Sequence, residues 1–229
     1  MLPFSYVAVE GPIGVGKTTL SRKLADRLKL KFLPEDIKNP YLPSFYAGKS
    51  EAVLRTQMFF LHSRALAQQE IRALLQEGKK AVSDFTFHKD LLFARINLAR
   101  EDMALYRLYY DFFLQMALTP DLIIYLQAPE RTLKDRIRRR MTESEARGGL
   151  EDPEVRQVIR MEKAIKAAYL NRISEAYEKF FIELEGANVL IVNTEELNVV
   201  DRKKDFEDLL ERILEFKPGV QFYSPQVRP

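Results

Sequence analysis

A glycine-rich turn near the amino terminus constrains the fold more than any other feature of this chain. It reads Gly11-Pro12-Ile13-Gly14-Val15-Gly16-Lys17-Thr18 and matches the phosphate-binding pattern G-x-x-x-x-G-K-[ST] at every required position. The apolar residues 6–9 precede it, and the helix-compatible residues 18–28 follow it. Backbone N–H groups of such a turn converge on phosphate oxygens, and the helix that follows adds favourable partial charge. Lys17 can then reach the β- and γ-phosphates, and the Thr18 hydroxyl can bind Mg²⁺.

The strand-like runs of the chain alternate with long helix-compatible stretches. Each run is short and rich in β-branched or aromatic residues: 6–9, 31–33, 81–83, 122–126 and 189–192. This alternation predicts an α/β fold in which a five-stranded parallel sheet is covered by helices on both faces. Apolar spacing predicts long helices over 51–77 and 103–118. We expect residues from Pro218 onward to form a loosely held tail.

Composition excludes several classes of protein. A length of 229 residues favours one domain over the whole chain, and 36 basic against 33 acidic residues leave a net charge of only +3. This balance gives no electrostatic support for general nucleic-acid binding. The chain has no cysteine, which rules out disulfides and thiolate chemistry, and no apolar run near the roughly 18 residues that span a bilayer. We expect a soluble, unprocessed, cytoplasmic protein without a membrane contact.

Two acidic residues follow predicted strands and are candidates for chemistry. Asp84 directly follows residues 81–83, and Glu35 follows residues 31–33 after Pro34. The carboxyl ends of parallel strands form the ligand crevice of an open α/β sheet, so Asp84 can face Mg²⁺ beside Thr18. Glu35 can accept a proton from a substrate hydroxyl at the same edge. The alternatives are a helix N-cap for Asp84 and a solvated loop residue for Glu35.

A second group of polar residues interrupts apolar helical surroundings. Gln57 and Arg64 are seven residues apart and therefore share one face of the helix over 51–77. Their amide and guanidinium can read the edge of a flat heterocycle, and Asp90 can complete the set. The alternative is an ordinary polar surface face.

A basic stretch leads into a polar segment that contains Gly148-Gly149. Its basic residues are Lys134, Arg136, Arg138, Arg139 and Arg140. Beside a nucleotide-binding loop, such a stretch predicts a mobile lid over approximately 136–162 that brings arginines onto a triphosphate. The alternative is a solvated charged helix face.

In order and spacing these residues resemble the deoxynucleoside kinase family, enzymes with a phosphate-binding loop that phosphorylate the 5′-hydroxyl of deoxynucleosides. The resemblance covers nearly the whole chain. Its motifs are the phosphate loop, Glu35, Asn39-Pro40-Tyr41-Leu42, Phe45-Tyr46, Gln57, Arg64, Asp84, Asp90-Leu91-Leu92-Phe93-Ala94, the lid, Glu162 with Ile165, Tyr169-Leu170, and Val189-Leu190-Ile191-Val192-Asn193-Thr194.

The resemblance implies a three-layer α/β kinase fold with a helical lid, and a role for each matching position. Glu35 is the general base, Tyr46 and Glu162 hold the sugar 3′-hydroxyl, and Gln57, Arg64 and Asp90 read the base beside Phe93. Tyr46 has the alternative of an ordinary core tyrosine. Thr18 and Asp84 organise Mg²⁺, and Lys17, Arg136 and Arg140 are the catalytic cations. ATP is the donor, and its implied contacts are Gly11, Ile13, Gly14, Val15, Gly16, Lys17, Thr18, Thr19, Asp205 and Phe206.

Two departures from the family pattern affect the cations. The family commonly has Asp/Glu-Arg-Ser at the end of the third strand, whereas this chain has Asp84-Phe85-Thr86. An arginine expected near the phosphate acceptor is therefore missing, and we expect another cation, such as one from the lid, to replace it. The segment between Arg140 and Glu162 is also longer than usual, so no role is assigned to Arg147 or Arg160.

The leading hypothesis is an ATP- and Mg²⁺-dependent deoxynucleoside 5′-kinase that acts in deoxynucleotide salvage, prefers purines and forms a homodimer through long apolar helices. Two rivals remain open. A nucleoside monophosphate kinase such as a thymidylate kinase shares the fold, although Glu35 would repel its acceptor phosphate. A regulatory module would use the loop as a switch, but it leaves Glu35, Gln57, Arg64 and Asp90 without a joint purpose.

Overall fold

The computed structural model describes residues 3–146, 153–162, 165–182, 184, 186–199 and 202–225. Within these residues, six parallel strands form one sheet in the order β2-β3-β1-β4-β5-β6. Along the chain, the strands are β1 (Tyr6–Glu10), β2 (Lys31–Leu33), β3 (Ala81–Ser83), β4 (Leu122–Gln127), β5 (Val189–Asn193) and β6 (Val220–Tyr223).

Helices connect these strands and cover the sheet. They are α1 (Lys17–Leu28), α2 (Leu42–Tyr46), α3 (Glu51–Gln76), α4 (Lys89–Asn97), α5 (Arg100–Leu114), α6 (Glu130–Ala146), α7 (Pro153–Glu162), α8 (Ala167–Ile182) and α9 (Lys203–Leu214). Among the residues described, none of these helices has the length and apolar character needed to cross a membrane.

The central strands are buried on both faces, which explains their nearly continuous apolar sequence. Ile124 of β4 and Leu190 of β5 belong to the core on the side of α1 and α9. Their neighbours Tyr125 and Ile191 belong to the core on the side of α8. Successive residues of a strand point to opposite faces, so each strand contributes to both cores. The three-layer α/β prediction is confirmed.

The sheet has one strand more than the five predicted from the sequence. β6 pairs in parallel with β5, in the register Val189↔Val220 to Val192↔Tyr223. The prediction of a loosely held tail from Pro218 onward is therefore wrong. β6 has four residues and lies at the sheet edge, where Val220 and Phe222 remain exposed, so it differs from the central strands in length and burial.

The strand order places three functional segments side by side. β2, β3 and β1 are consecutive in the sheet, and all three run in the same direction. Glu35, Asp84 and the glycine-rich turn each follow one of these strands, so they meet at one edge of the sheet.

Candidate active site

The glycine-rich turn has a backbone that only glycine accommodates at two positions. Gly11 and Gly14 have φ angles of 145° and 84°. A Cβ atom on Gly11 would lie 2.3 Å from the carbonyl oxygen of Leu126, and one on Gly14 would lie 2.7 Å from Cγ1 of Ile137. The turn therefore packs against β4 and α6 with no room for a side chain at Gly11 or Gly14, and α1 begins immediately after it at Lys17.

Lys17 is folded over this turn. Its Nζ donates hydrogen bonds to the carbonyl oxygens of Gly11, at 2.8 Å, and Pro12, at 3.1 Å. Burial and the nearby Lys89 ammonium together lower the pKa of Lys17 to about 8, against the opposing effect of the surrounding carboxylates. A bound phosphate would stabilise the charged form of this ammonium.

Asp84 links the turn to Glu35. Its Oδ2 accepts a short hydrogen bond from the Thr18 hydroxyl, and its Oδ1 accepts one of 2.6 Å from the backbone N–H of Glu35. The helix N-cap alternative is not supported, because His88 is the N-cap residue of α4. A hydroxyl and a carboxylate meeting beside a phosphate-binding turn form a donor set that suits Mg²⁺, which prefers oxygen ligands.

Glu35 is enclosed by two cations. Its Oε1 accepts hydrogen bonds from Nε of Arg64, at 2.9 Å, and from the Nη2 of the same guanidinium, while its Oε2 accepts one of 2.8 Å from Nζ of Lys89. Burial alone would raise the pKa of Glu35, but the two cations outweigh it and lower the pKa to about 2. Only 14% of the side chain is exposed, so Glu35 is an ionised group of the site rather than a solvated loop residue.

Arg64 joins Glu35 to Asp90. Its Nη1 lies 2.6 Å from Oδ2 of Asp90 in an ion pair that lacks hydrogen-bond alignment. Burial raises the pKa of Asp90 against the opposing effect of Arg64. Oδ1 of Asp90 accepts a hydrogen bond of 3.3 Å from the Tyr106 hydroxyl. Both charged residues are buried, so the alternative of a polar surface face is wrong for them.

Gln57 and Phe93 complete this part of the site. Gln57 is 3% exposed, and its Oε1 has no hydrogen-bond partner among the residues described. An unpaired buried acceptor is costly, so this atom is available to a polar ligand. The ring of Phe93 packs edge-on against Tyr177, and Nζ of Lys89 lies 5.8 Å from its centroid.

The predicted sugar-binding residues lie between α2 and the lid. Glu162, at the end of α7, forms an ion pair with Arg140 of α6. Burial raises the pKa of the Tyr46 hydroxyl, and Tyr169, Arg140 and Glu35 also influence it. Helix α2 packs against α7, so the structure brings Tyr46, Arg140 and Glu162 to the Glu35 side of the site.

Three other predicted residues have contacts away from Glu35. Arg136 donates from its Nη1 to the carbonyl oxygen of Val15, at 3.2 Å, and to the Thr194 hydroxyl, at 2.8 Å. Asp205 accepts a hydrogen bond from a backbone N–H, and Phe206 is buried in the core beneath α1. Their roles towards phosphate and adenine stay predictions.

The basic stretch is divided between two environments. Arg138 and Arg139 are exposed and form ion pairs with Asp135 and Glu143 of their own helix, as expected of a solvated face. Arg147 and Gly148-Gly149 of the predicted lid lie outside the described residues.

Two buried charged residues of the site were not predicted from the sequence. One is Lys89, which begins α4 and contacts Glu35. Its charge beside Asp90, at the start of an apolar helix, was a signal that could have identified it. Glu10 ends β1 and is fully buried, and it accepts hydrogen bonds from the N–H of Gly11 and Thr86 and from the Tyr177 hydroxyl. An acidic residue at the end of an otherwise apolar strand was the corresponding signal.

Known proteins resemble this chain over most of its length. The family model of deoxynucleoside kinases matches residues 7–151. A deoxyguanosine kinase from Bacillus subtilis (strain 168) is 29% identical over 216 residues, which cover 92% of this chain and 96% of that protein. A deoxyadenosine/deoxycytidine kinase from the same organism is 26% identical over 218 residues, or 91% of each chain.

A solved structure has the same fold. A deoxyadenosine kinase from M. mycoides with bound dATP superimposes with a TM-score of 0.71, and the match covers 91% of this chain and 98% of that one. The two sequences are 22% identical, so this likeness establishes the shared architecture.

The packing of Gly11 predicts a stability difference between two glycine substitutions. Gly11→Ala should lower the free energy of unfolding by about 1–3 kcal/mol more than Gly48→Ala, because the new Cβ atom meets the backbone of Leu126. Gly48 also has a positive φ, of 77°, but open space around it, so it is the matched control for backbone strain. Urea denaturation measures both changes. Equal losses would contradict the packing described for the turn.

Proposed function

Because this chain belongs to the deoxynucleoside kinase family, we propose that it transfers the γ-phosphoryl group of ATP to the 5′-hydroxyl of a deoxynucleoside. The observation that carries this proposal is the position of Glu35. An ionised carboxylate lies at the same sheet edge as a phosphate-binding turn, and Asp84 joins its backbone to the Thr18 hydroxyl. Phosphoryl transfer requires this pairing of a donor cradle with a group that aligns the acceptor.

Glu35 serves the acceptor hydroxyl. With a pKa of about 2, its carboxylate is a weak base that accepts a hydrogen bond and thereby aligns the 5′-oxygen with the γ-phosphorus. The transition state of phosphoryl transfer is loose, so little proton transfer is needed early. As the new P–O bond forms, the 5′-hydroxyl becomes acidic, and Glu35 then takes its proton.

The donor half consists of the turn and its cations. Backbone N–H groups of the turn bind the phosphates. The Lys17 ammonium moves from the carbonyl oxygens of Gly11 and Pro12 to phosphate oxygens. Thr18 and Asp84 are the residues that would hold Mg²⁺, which when bound neutralises charge on the phosphate oxygens. Arg140 supplies a further cation from the lid when it exchanges its Glu162 partner for phosphate.

The acceptor half reads the sugar and the base. Tyr46 and Glu162 bind the 3′-hydroxyl, and Phe93 packs beside the base. Gln57 offers a free buried carbonyl oxygen, whereas Arg64 is held between two carboxylates in a fixed orientation. A base that left these buried groups unpaired would be rejected strongly. We propose a purine preference, which the names of the deoxyguanosine and deoxyadenosine kinase relatives support.

The rival functions are less well supported. Family membership makes the chain an enzyme rather than a regulatory module. A nucleoside monophosphate acceptor would bring a phosphate near the ionised Glu35 carboxylate, and the two negative charges would repel each other.

Three broader expectations stay predictions. They are a single domain over residues 1–229 with a lid at approximately 136–162, contacts of Asp205 and Phe206 with the adenine of ATP, and a cytoplasmic location.

Kinase assays with ATP, Mg²⁺ and each of the four deoxynucleosides test the proposed function. The wild-type protein should form ADP and the 5′-monophosphate, with the highest kcat/KM for a purine deoxynucleoside. Glu35→Gln should lower kcat by about 10²–10⁴-fold, because the amide cannot take the proton. ATP binding, measured by calorimetry, should persist in this variant.

The neighbouring Asp36 provides the matched control. It is exposed, so Asp36→Asn makes the same chemical change one residue away and should leave kcat within about twofold. A fully active Glu35→Gln enzyme would overturn the role of Glu35. Absence of product with all four deoxynucleosides would overturn the proposed function.

We also propose that two copies of the chain associate through α5. Leu105, Leu108, Tyr109 and Phe112 share one face of this helix, and all four are exposed, Leu108 and Phe112 at 71% and 63%. Leu66 is exposed on α3, which packs against α5. An apolar face of this kind on long helices is typical of a self-association surface.

Charged substitutions on this face should separate the copies. The double variant Leu108→Glu, Phe112→Glu should have the mass of one 26.7-kDa chain in sedimentation equilibrium, whereas the wild type should have twice that mass. Phe222→Glu on β6 alters an equally exposed aromatic residue elsewhere and should remain dimeric. A monomeric wild type would overturn this proposal.

A further inference from the structure

Lys89 is a buried cation at the centre of the site. Only 5% of its side chain is exposed, and its Nζ donates a hydrogen bond of 2.8 Å to Oε2 of Glu35. Burying an ammonium is costly unless several acceptors surround it. Among the described residues, Glu35 is the only acceptor of a hydrogen bond from Lys89. An ammonium has three N–H donors, so two of them remain for a ligand.

Lys89 lies between the acceptor side and the donor side of the site. It contacts Glu35 directly, and the backbone of Glu35 is joined through Asp84 to Thr18, the residue after Lys17 of the phosphate-binding turn. The ammonium groups of Lys17 and Lys89 repel each other, and an anion bound between them removes that cost. In the proposed reaction, the phosphoryl group in transfer is the anion that occupies the space between the donor loop and Glu35.

Arg64, the other cation that contacts Glu35, is committed to the base-reading side. Arg64 hydrogen-bonds Oε1 of Glu35 and forms an ion pair with Asp90, so its guanidinium is held on the base-reading side. Position 85, where an arginine was expected, carries a phenylalanine that is 1% exposed. The Phe85 side chain therefore packs in the interior and supplies no charge to the site.

We propose that Lys89 is the cation that contacts the transferring phosphoryl group on the acceptor side, in place of the arginine absent at Phe85. This inference rests on the proposed function. The 5′-oxygen forms a bond to the γ-phosphorus, and the bond from that phosphorus to the β,γ-bridging oxygen breaks. ADP leaves with the electron pair, and the hydroxyl proton goes to Glu35. Protonation removes the charge of Glu35, so Lys89 then pairs with the new phosphate ester.

A purely structural Lys89 would behave differently. Such a residue would only hold Glu35 in place, and its loss would change stability and the ionisation of Glu35. A residue that contacts the transferring group lowers kcat when it is removed and has little effect on KM. A diffusible amine that replaces the cation would restore turnover if Lys89 contacts the transferring group, and it would not if Lys89 is purely structural.

Lys89→Met removes the charge and keeps the length of the side chain. We expect kcat to fall by about 10²–10³-fold, as when one donor to a developing anion is lost. KM for the deoxynucleoside should change by less than about threefold. Lys179→Met, an exposed lysine of α8, is the matched control and should behave as the wild type.

Two further variants distinguish contact from structural support. Lys89→Arg keeps the charge and should retain kcat within about tenfold of the wild type. Lys89→Ala leaves space for a small cation, so ethylammonium should raise its kcat at least about tenfold, whereas an uncharged amide of the same size should not. Thermal denaturation of each variant shows whether it is folded at the assay temperature.

The outcomes separate this inference from the function on which it rests. An active wild type with kcat of Lys89→Met within threefold overturns the role of Lys89 alone. The role is also overturned if Lys89→Arg loses as much kcat as Lys89→Met and ethylammonium does not rescue Lys89→Ala. That pattern is expected of a residue that only holds the structure in place. A wild type inactive on all four deoxynucleosides overturns the proposed function and this inference together.

Discussion

The buried ion pairs of Glu35 with Arg64 and Lys89 are the interaction on which the rest of the site depends. They join the end of β2 to the middle of α3 and the start of α4, three segments that are distant in sequence. A pKa drawn from 4.5 to about 2 corresponds to about 3 kcal/mol of stability at neutral pH. That contribution is present above pH 4.5 and disappears as the pH falls towards 2. Removing Glu35 or one of its cations would leave a buried charge unpaired. The ion pairs therefore hold Glu35, Arg64 and Lys89 in place before any substrate binds.

Asp84 connects Glu35 to the donor side of the site. One of its oxygens accepts the backbone N–H of Glu35, and the other accepts the Thr18 hydroxyl. The two halves of the proposed reaction are therefore positioned by one carboxylate at the end of a central strand. Glu10 supports the same edge from beneath, because it accepts the N–H groups of Gly11 and Thr86. Preorganised groups of this kind lower the cost of aligning donor and acceptor.

The sequence predicted the features that follow from strand position. Parallel strands expose their carboxyl ends at one edge, so Glu35, Asp84 and the glycine-rich turn were expected to meet, and the structure brings them together. Helical spacing likewise placed Gln57 and Arg64 on one face. The sequence did not predict the contact of Lys89 with Glu35, since which face of α4 turns towards β2 depends on tertiary packing. It also missed β6, a four-residue strand at the sheet edge, and it did not predict the contacts of Arg136 with Val15 and Thr194.

The ionisation of Glu35 is the property that tests this account most directly. NMR of the protein labelled with ¹³C at the glutamate carboxyl carbons, with Glu35→Gln used to assign the signal, follows this group through a pH titration. The Glu35 signal should stay that of a carboxylate from pH 8 down to about pH 4, because its pKa is about 2. A titration midpoint at or above 4.5 would show that Arg64 and Lys89 do not hold the charge, and it would contradict the account.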